Sequence, residues 1–282
     1  MTANNVIAFQ GRPGAYSNLA CRGAYPEMQT LPCESFEDMF AAVRDGKASL
    51  AMVPIENSVA GRVADIHHLM PESGLHIIAE KFQRVNHQLM AVKGASLKDL
   101  KTVRSHVQAL AQCRNTLRNM NLTPIIRPDT AGSAAEIAEL GDRSIGAIAS
   151  SLAAEIYGLD ILKSDMEDAE HNTTRFVVMS REPIDPDPAK GTVVTSFVFK
   201  VRSVPAALYK ALGGFATNGI NITKLESYIL DGAFTNAQFY ADIEGHPDQR
   251  SVKLALEELS FFSREVRILG VYPADPFRHN PK

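Results

Sequence analysis

The sequence predicts an α/β protein built in two parts, a long α/β layer domain followed by a compact βαββαβ unit. Three observations predict it. From Val6 to Met179, short apolar runs that end in polar or Gly-rich turns alternate with segments of helical period. The stretch Pro183-Ile184-Asp185-Pro186-Asp187-Pro188, closed by Gly191, breaks that rhythm as a stiff linker. A chain of 282 residues is also long for one core, so two domains are the natural expectation.

The elements follow in order. Val6 to Phe9 is a buried strand, and Gly11-Arg12-Pro13-Gly14-Ala15-Tyr16-Ser17 leads from it into a helix ending near Tyr25. A strand, a Gly-rich turn and a helix start offer backbone N–H groups and a positive helix end to an anion. The turn lacks both the GxGxxG spacing and a Walker lysine, which disfavours a nucleotide. Ser35 caps a helix to about Asp45. Ala48 to Val53 is a strand that ends in Pro54-Ile55-Glu56-Asn57-Ser58, and Gly61 precedes a helix to Met70. Leu75 to Ala79 and His87 to Val92 read as strands, with Gln83 to Asn86 as a bend between two lobes.

A short helix follows Ser96, and a strand lies near Val103. Ser105-His106-Val107-Gln108 has the Ser-x-x-Gln pattern of a capping box at the next helix. Ser105, Gln108 and Gln112 then form one polar stripe on an otherwise apolar helix. A core-facing glutamine needs partners, and a ligand can supply them. Pro124 to Arg127 is a strand, and Asp129-Thr130 with Ser133 starts a helix to Leu140. Ile145 to Ala149 is a strand, and Ser150-Ser151 starts a helix to Tyr157.

The acidic run Asp165 to Glu170 leads to His171-Asn172-Thr173-Thr174-Arg175 at the mouth of the strand Phe176 to Met179. An open α/β sheet places its ligand at such strand ends. Arg175 has a planar fork suited to a carboxylate, and Thr174 has one movable proton. Taken alone, the six residues His171 to Phe176 read more plainly as a turn capped by Asn172 and Thr173, with Arg175 in a surface ion pair.

Beyond the linker, strand Thr192 to Val201, helix Pro205 to Thr217 and turn Asn218-Gly219 follow. Next come strand Ile222 to Leu230, hairpin turn Asp231-Gly232 and strand Phe234 to Ile243. Helix Pro247 to Leu259 and strand Val266 to Tyr272 complete a ferredoxin-like order. Pro273 to Lys282 has no apolar period and reads as a loose tail.

Composition narrows the function. With 22% charged and 45% hydrophobic residues, the chain is globular rather than disordered. A net charge of -3 without a basic run disfavours nucleic acid and anionic membranes as partners. Cys21, Cys33 and Cys113 lack CxxC spacing and read as reduced thiols. His67-His68 is adjacent, which does not suit one metal from a helix. The N-terminus lacks a signal-peptide pattern and no apolar stretch reaches membrane-spanning length, so a cytoplasmic location is expected.

Several rare strings in one order carry a resemblance. They are Val53 to Ser58, Ser105 to Cys113 and Asn172 to Phe176, supported by Gly11 to Ser17 and by Gly219 to Ser227. Together they resemble prephenate dehydratase followed by an ACT regulatory domain, over nearly the whole chain. The resemblance implies a two-lobed catalytic domain like a periplasmic binding protein over residues 1–182. One lobe would be about 1–83 plus 164–182, and the other about 84–163. A linker at 183–191, a ferredoxin-like ACT domain at 192–273 and a tail at 274–282 would follow. The family's helical chorismate mutase segment would be absent, because the chain begins at its first strand.

The implied reaction removes carbon dioxide and water from prephenate to give phenylpyruvate. Aromatisation supplies much of the driving force, so no electron-sink cofactor is needed, and no residues have the ligand spacing of a metal site. Thr174 would donate a proton or a hydrogen bond to the departing hydroxyl, with Glu56 as an ultimate proton source and Asn57 beside it. A threonine hydroxyl is too weak an acid to act alone near neutral pH. Ser58, Ser105, Gln108, Gln112, Thr173 and Phe176 would surround the substrate, with backbone donors around Ala15, Tyr16 and Ser17 and at Ser150-Ser151. Arg175 either clamps a carboxylate or braces its strand.

The resemblance also implies a homodimer or homotetramer that binds phenylalanine between ACT domains. Ala207, Leu208, Asn221, Glu226 and Ser227 mark the effector positions. The chain departs from the family there, with Ala206-Ala207-Leu208 for Gly-Ala-Leu and Glu226-Ser227-Tyr228-Ile229 for Glu-Ser-Arg-Pro. Arogenate dehydratase is the nearest alternative, and a non-catalytic amino-acid sensor is an alternative of another class.

Overall fold

A computed structural model describes residues 5–169, 171–202, 204–229 and 237–280. In chain order the first elements are β1 (Val6–Gln10), α1 (Tyr16–Ala24), β2 (Gln29–Cys33), α2 (Phe36–Arg44), β3 (Leu50–Asn57) and β4 (Gly61–Arg62). Next come α3 (Ala64–Glu72), β5 (His76–Arg84), β6 (Gln88–Ala91), β7 (Thr102–His106), α4 (Val107–Gln112) and α5 (Arg114–Asn119). They are followed by β8 (Thr123–Arg127), α6 (Thr130–Leu140), β9 (Ile145–Ala149), α7 (Ser151–Tyr157), β10 (Asp160–Lys163) and β11 (Thr173–Ser180). The last are β12 (Val193–Val201), α8 (Ala207–Thr217), β13 (Ile222–Ile229), β14 (Ala237–Glu244), α9 (Arg250–Phe262) and β15 (Ser263–Pro273). Two compact units result, Met1–Val63 with Lys81–Phe176, and Ala64–Glu80 with Val177–Lys282.

The first unit holds two sheets. In one, β1 lies between β2 and β3 in parallel register, β4 folds back on β3, and Ser58 N donates to Thr173 O at 2.9 Å. The other has the order β10-β6-β9-β7-β8, with β7 parallel to both β8 and β9. The central strands β1 and β9 are apolar and buried through their middles, as strands covered on both faces must be. β2 and β10 carry no such run, and their residues are partly exposed at the sheet edges. That is why periodicity did not reveal them.

Three local expectations change. β5 continues through Arg84, so the chain bends after it, where Val85 N donates to Asn172 O at 2.8 Å. Ser105 does not cap the next helix. It lies within β7, and His106 is the N-cap of α4, its Nδ1 accepting from Gln108 N at 3.3 Å. The single predicted helix breaks at Cys113 into α4 and α5. Gly14 sits at φ +88° against the Ala153 backbone, where a side chain would collide, and Ser150 Oγ donates to its carbonyl at 2.5 Å.

The second unit contains β12-α8-β13-β14-α9-β15, its antiparallel strands ordered β13-β14-β12-β15. Phe197, Phe199, Phe239, Ala241 and Ile243 pack on Ala211 and Phe215 of α8 and on Val252, Ala255 and Leu259 of α9. Strand periodicity sends Ser196, Tyr240 and Asp242 to the opposite face. That face is covered within the unit. The His67 ring of α3 lies 5.3 Å from Tyr240 and 5.9 Å from Tyr228. β15 pairs with β5 at Gly270 and Ile77, an approach that leaves no room for a Cβ at Gly270.

The tail is not loose either. Pro276–Arg278 forms a 3-10 turn, and the Arg278 fork grips Glu80 at 2.5 and 2.8 Å. The hairpin turn expected at Asp231-Gly232, with Phe234, lies outside the described residues. Among the described residues, no helix is long and apolar enough to cross a membrane, and no cluster of metal-ligating side chains occurs. The three cysteines are unpaired, and burial pushes the Cys21 thiol up to about 12.

Ala206, the N-cap of α8, has φ +57° and no side-chain capping bond. An L-residue in that region pays for its Cβ against the neighbouring carbonyl, and glycine does not. Ala206→Gly should therefore stabilise the protein by about 0.5–1 kcal/mol. A thermal shift assay checks this, and a lower melting temperature would show that Ala206 has another conformation in solution.

Candidate active site

One cavity of about 420 Å3 opens in the first unit. Its wall is assembled at strand ends. Gln10 ends β1 and Gly11 follows it, Asn57 ends β3, His106 ends β7, and Pro128 and Asp129 follow β8. Ala15, Tyr16 and Ser17 at the start of α1 line it, as do Gln108 and Gln112 of α4. The N-cap Ala15 supplies no capping side chain, so the first N–H groups of α1 are left for a ligand. Asp129, by contrast, caps α6 with its own carboxylate. The cavity thus has an uncapped, electropositive helix end suited to a carboxylate. Arg12 also lines it, 3.9 Å from Asp129.

Thr174 stands at the cavity wall with its hydroxyl oriented by a neighbour. Val59 N and Ala60 N donate to Asn57 Oδ1 at 3.0 and 2.8 Å, which fixes the Asn57 amide. Asn57 Nδ2 therefore donates, to Asn172 Oδ1 at 2.8 Å and to Thr174 Oγ1 at 2.9 Å. Because Thr174 Oγ1 accepts, its own proton remains available to an oxygen in the cavity. Tyr16 and His87 border the same space, their hydroxyl and Nδ1 2.8 Å apart. Burial lowers the His87 pKa and raises that of Tyr16 well above its usual value, so both are neutral near pH 7.

Of the residues singled out from the sequence, Ala15, Tyr16, Ser17, Asn57, Gln108, Gln112 and Thr174 do line the cavity. Six others do not. Glu56 forms an ion pair with Arg175 at 3.0 Å, and Arg175 is 3% exposed. The pair sets the Glu56 carboxylate against a guanidinium, and neither residue lines the cavity. Ser58 clips two strands together, donating to His171 O at 2.5 Å and accepting from Thr173 N at 2.9 Å. Ser105 is fully buried and donates to Ile148 O at 2.6 Å. Thr173 contributes backbone bonds, and Phe176 belongs to the core at 1% exposure. Ser150 holds the Gly14 loop, and neither it nor Ser151 borders the cavity.

Comparison with known proteins assigns this architecture. A family model described as prephenate dehydratase matches residues 7–184. The chain belongs to the prephenate dehydratase family. The family's members are decarboxylating lyases, and this chain is one by descent. It is 52% identical to the bifunctional N-acyl-homoserine lactone acylase/prephenate dehydratase of Komagataeibacter europaeus, over the full length of both. It is 41% identical to arogenate dehydratase/prephenate dehydratase 1 of Arabidopsis thaliana, over 96% of this chain and 73% of that one. The crystal structure of prephenate dehydratase from Arthrobacter aurescens, in complex with L-Phe, superposes with a TM-score of 0.86. That match has 30% identity over 95% of this chain and 89% of that one.

For a prephenate dehydratase, sequence reasoning missed several wall residues. His87 was read only as a strand residue, and Arg12 and Asp129 only as parts of a turn and a cap. Each directly follows a strand or adjoins its end, the one signal that pointed to them. The positions considered for an effector lie in the second unit, on separate elements. Ala207 and Leu208 open α8, Asn221 precedes β13 and bonds Glu244 at 3.1 Å, and Glu226 pairs with Lys224 at 3.3 Å. Ser227 is exposed on β13, which continues through Tyr228 to Ile229.

Proposed function

We propose that the cavity converts prephenate to phenylpyruvate, with Thr174 as the residue that meets the leaving hydroxyl. The orientation of Thr174 by Asn57 carries this reading. The ring carboxylate leaves as carbon dioxide, and its bonding pair passes through the ring to expel the hydroxyl. Thr174 donates a hydrogen bond to that oxygen, which takes a proton from solvent water and departs as water. The start of α1 and Arg12 hold the carboxylates, with Gln112 and Gln108 as neutral donors. Incubation of the purified protein with prephenate should give phenylpyruvate. Phenylalanine from arogenate, without turnover of prephenate, would transfer the reading to arogenate dehydration. The full-length identity of 52% to a relative named also as an N-acyl-homoserine lactone acylase favours a third arm, with an acyl-homoserine lactone. Release of the free fatty acid there would establish a second activity.

We also infer that β12 to β15, with α8 and α9, form an ACT regulatory domain in a homodimer or homotetramer that binds phenylalanine. The strand order and the L-Phe complex of the Arthrobacter relative support this reading. Calorimetric and kinetic titration of the full-length protein should show heat and inhibition, and the absence of both would refute it. Truncation before residue 189 is a poor alternative, because α3 and β5 would lose the strands they pack against.

A further inference from the structure

The polarity of the hydrogen bonds around the cavity can be traced from donors whose identity is not in doubt. The backbone N–H groups of Val59 and Ala60 make Asn57 Oδ1 an acceptor, so Asn57 Nδ2 donates to Asn172 Oδ1. Asn172 Nδ2 must then donate, and its partner at 3.0 Å is Gln112 Oε1. That oxygen has no proton to give, yet it lies 2.7 Å from His87 Nε2. The proton between them therefore belongs to His87, on Nε2. A neutral imidazole then has a bare Nδ1, 2.8 Å from the Tyr16 hydroxyl, whose single proton also reaches Asn86 O at 2.9 Å. His87 is 2% exposed, and its backbone is held on both sides, by Glu167 Oε2 at 2.8 Å and by Met166 N at 2.9 Å.

Two donors thus converge on one face of the Gln112 carboxamide. Its amino group makes no protein hydrogen bond among the described residues, and it is not sealed from solvent. Gln112 borders the cavity, so the free amino group is the part a ligand meets. Resting on the assignment of this cavity to a dianionic substrate, we propose that His87 is a positioning residue. Its Nε2–H locks the Gln112 carboxamide so that the cavity receives a donor and not a carbonyl oxygen. A carbonyl oxygen turned toward the dianion would oppose binding, and a single donor from Asn172 would leave the amide freer to turn.

The test combines a spectrum with kinetics. Nitrogen-15 imidazole spectra of the wild-type protein at pH 7, assigned by difference against His87→Gln, should show a neutral ring protonated at Nε2. This needs no substrate, and a ring protonated at Nδ1 overturns the proposal whatever the substrate proves to be. His87→Phe, with its melting temperature measured alongside, should raise KM for prephenate by about 10–100-fold, the usual worth of a hydrogen bond to a charged group. The effect on kcat should be smaller. His87→Gln, which can place an N–H near the same point, should recover most of the loss. In a Gln112→Leu background, His87→Phe should add little, because the group it positions is gone. An unchanged KM in a folded His87→Phe protein, or fully additive losses, would overturn the proposal. Wild-type turnover of prephenate separately decides the assignment of the cavity.

Discussion

Thr174→Val lowers kcat for prephenate by about 10²–10⁴-fold, the usual scale for a positioned proton-transfer group. The variant keeps its shape, since valine matches threonine in volume. The one hydrogen bond lost in the structure is that from Asn57, whose amide stays anchored by Val59, Ala60 and Asn172. KM should therefore change far less than kcat. Thr173→Val is the control. Its side chain makes no hydrogen bond among the described residues, and its backbone bonds to Ser58 and Asn57 survive the change. Steady-state kinetics of both variants decide the matter. Equal, small losses would remove Thr174 from the chemistry.

Arg278→Ala destabilises the second unit by about 3–5 kcal/mol, a large share of a typical folding stability. The Glu80 side chain is fully buried, and Arg278 meets it with two N–H groups while a third bonds Thr223 at 3.3 Å. Removing the arginine leaves a buried carboxylate without its bidentate partner. The melting temperature should fall by roughly 6–20 °C. Arg278→Lys should recover part of this, since it keeps the charge but not the fork. Replacing both partners by Met should recover more, because neither charge is then buried. An unchanged melting temperature for Arg278→Ala would show that the tail is free in solution.

These two experiments probe opposite kinds of legibility. Thr174 was readable because its place depends on local order, a short polar string at the mouth of an apolar strand. The Arg278 clamp was not. Pro273 to Lys282 has no period, and its partner lies 198 residues earlier. Glu56 and Arg175 show the same limit from the other side. As types they suit acid–base work and carboxylate binding, and only their mutual distance shows that each is occupied by the other.

By itself the sequence determined the alternation of strands and helices, the βαββαβ order after the linker, and the cluster of polar residues at strand ends. These follow from local rules: side-chain period, capping and turn chemistry act over a few residues. The tertiary structure decided which polar groups reach the cavity. Ser105 and Gln112 stand on one predicted stripe, yet the first is sealed under β9 and the second opens to the cavity. It also decided that α3 would cover one face of the β12–β15 sheet, and that the His87 ring would lie between Tyr16 and Gln112. Those outcomes depend on which buried donors and acceptors meet across large sequence separations. A buried polar group must find a partner, and only the folded chain specifies which one it finds.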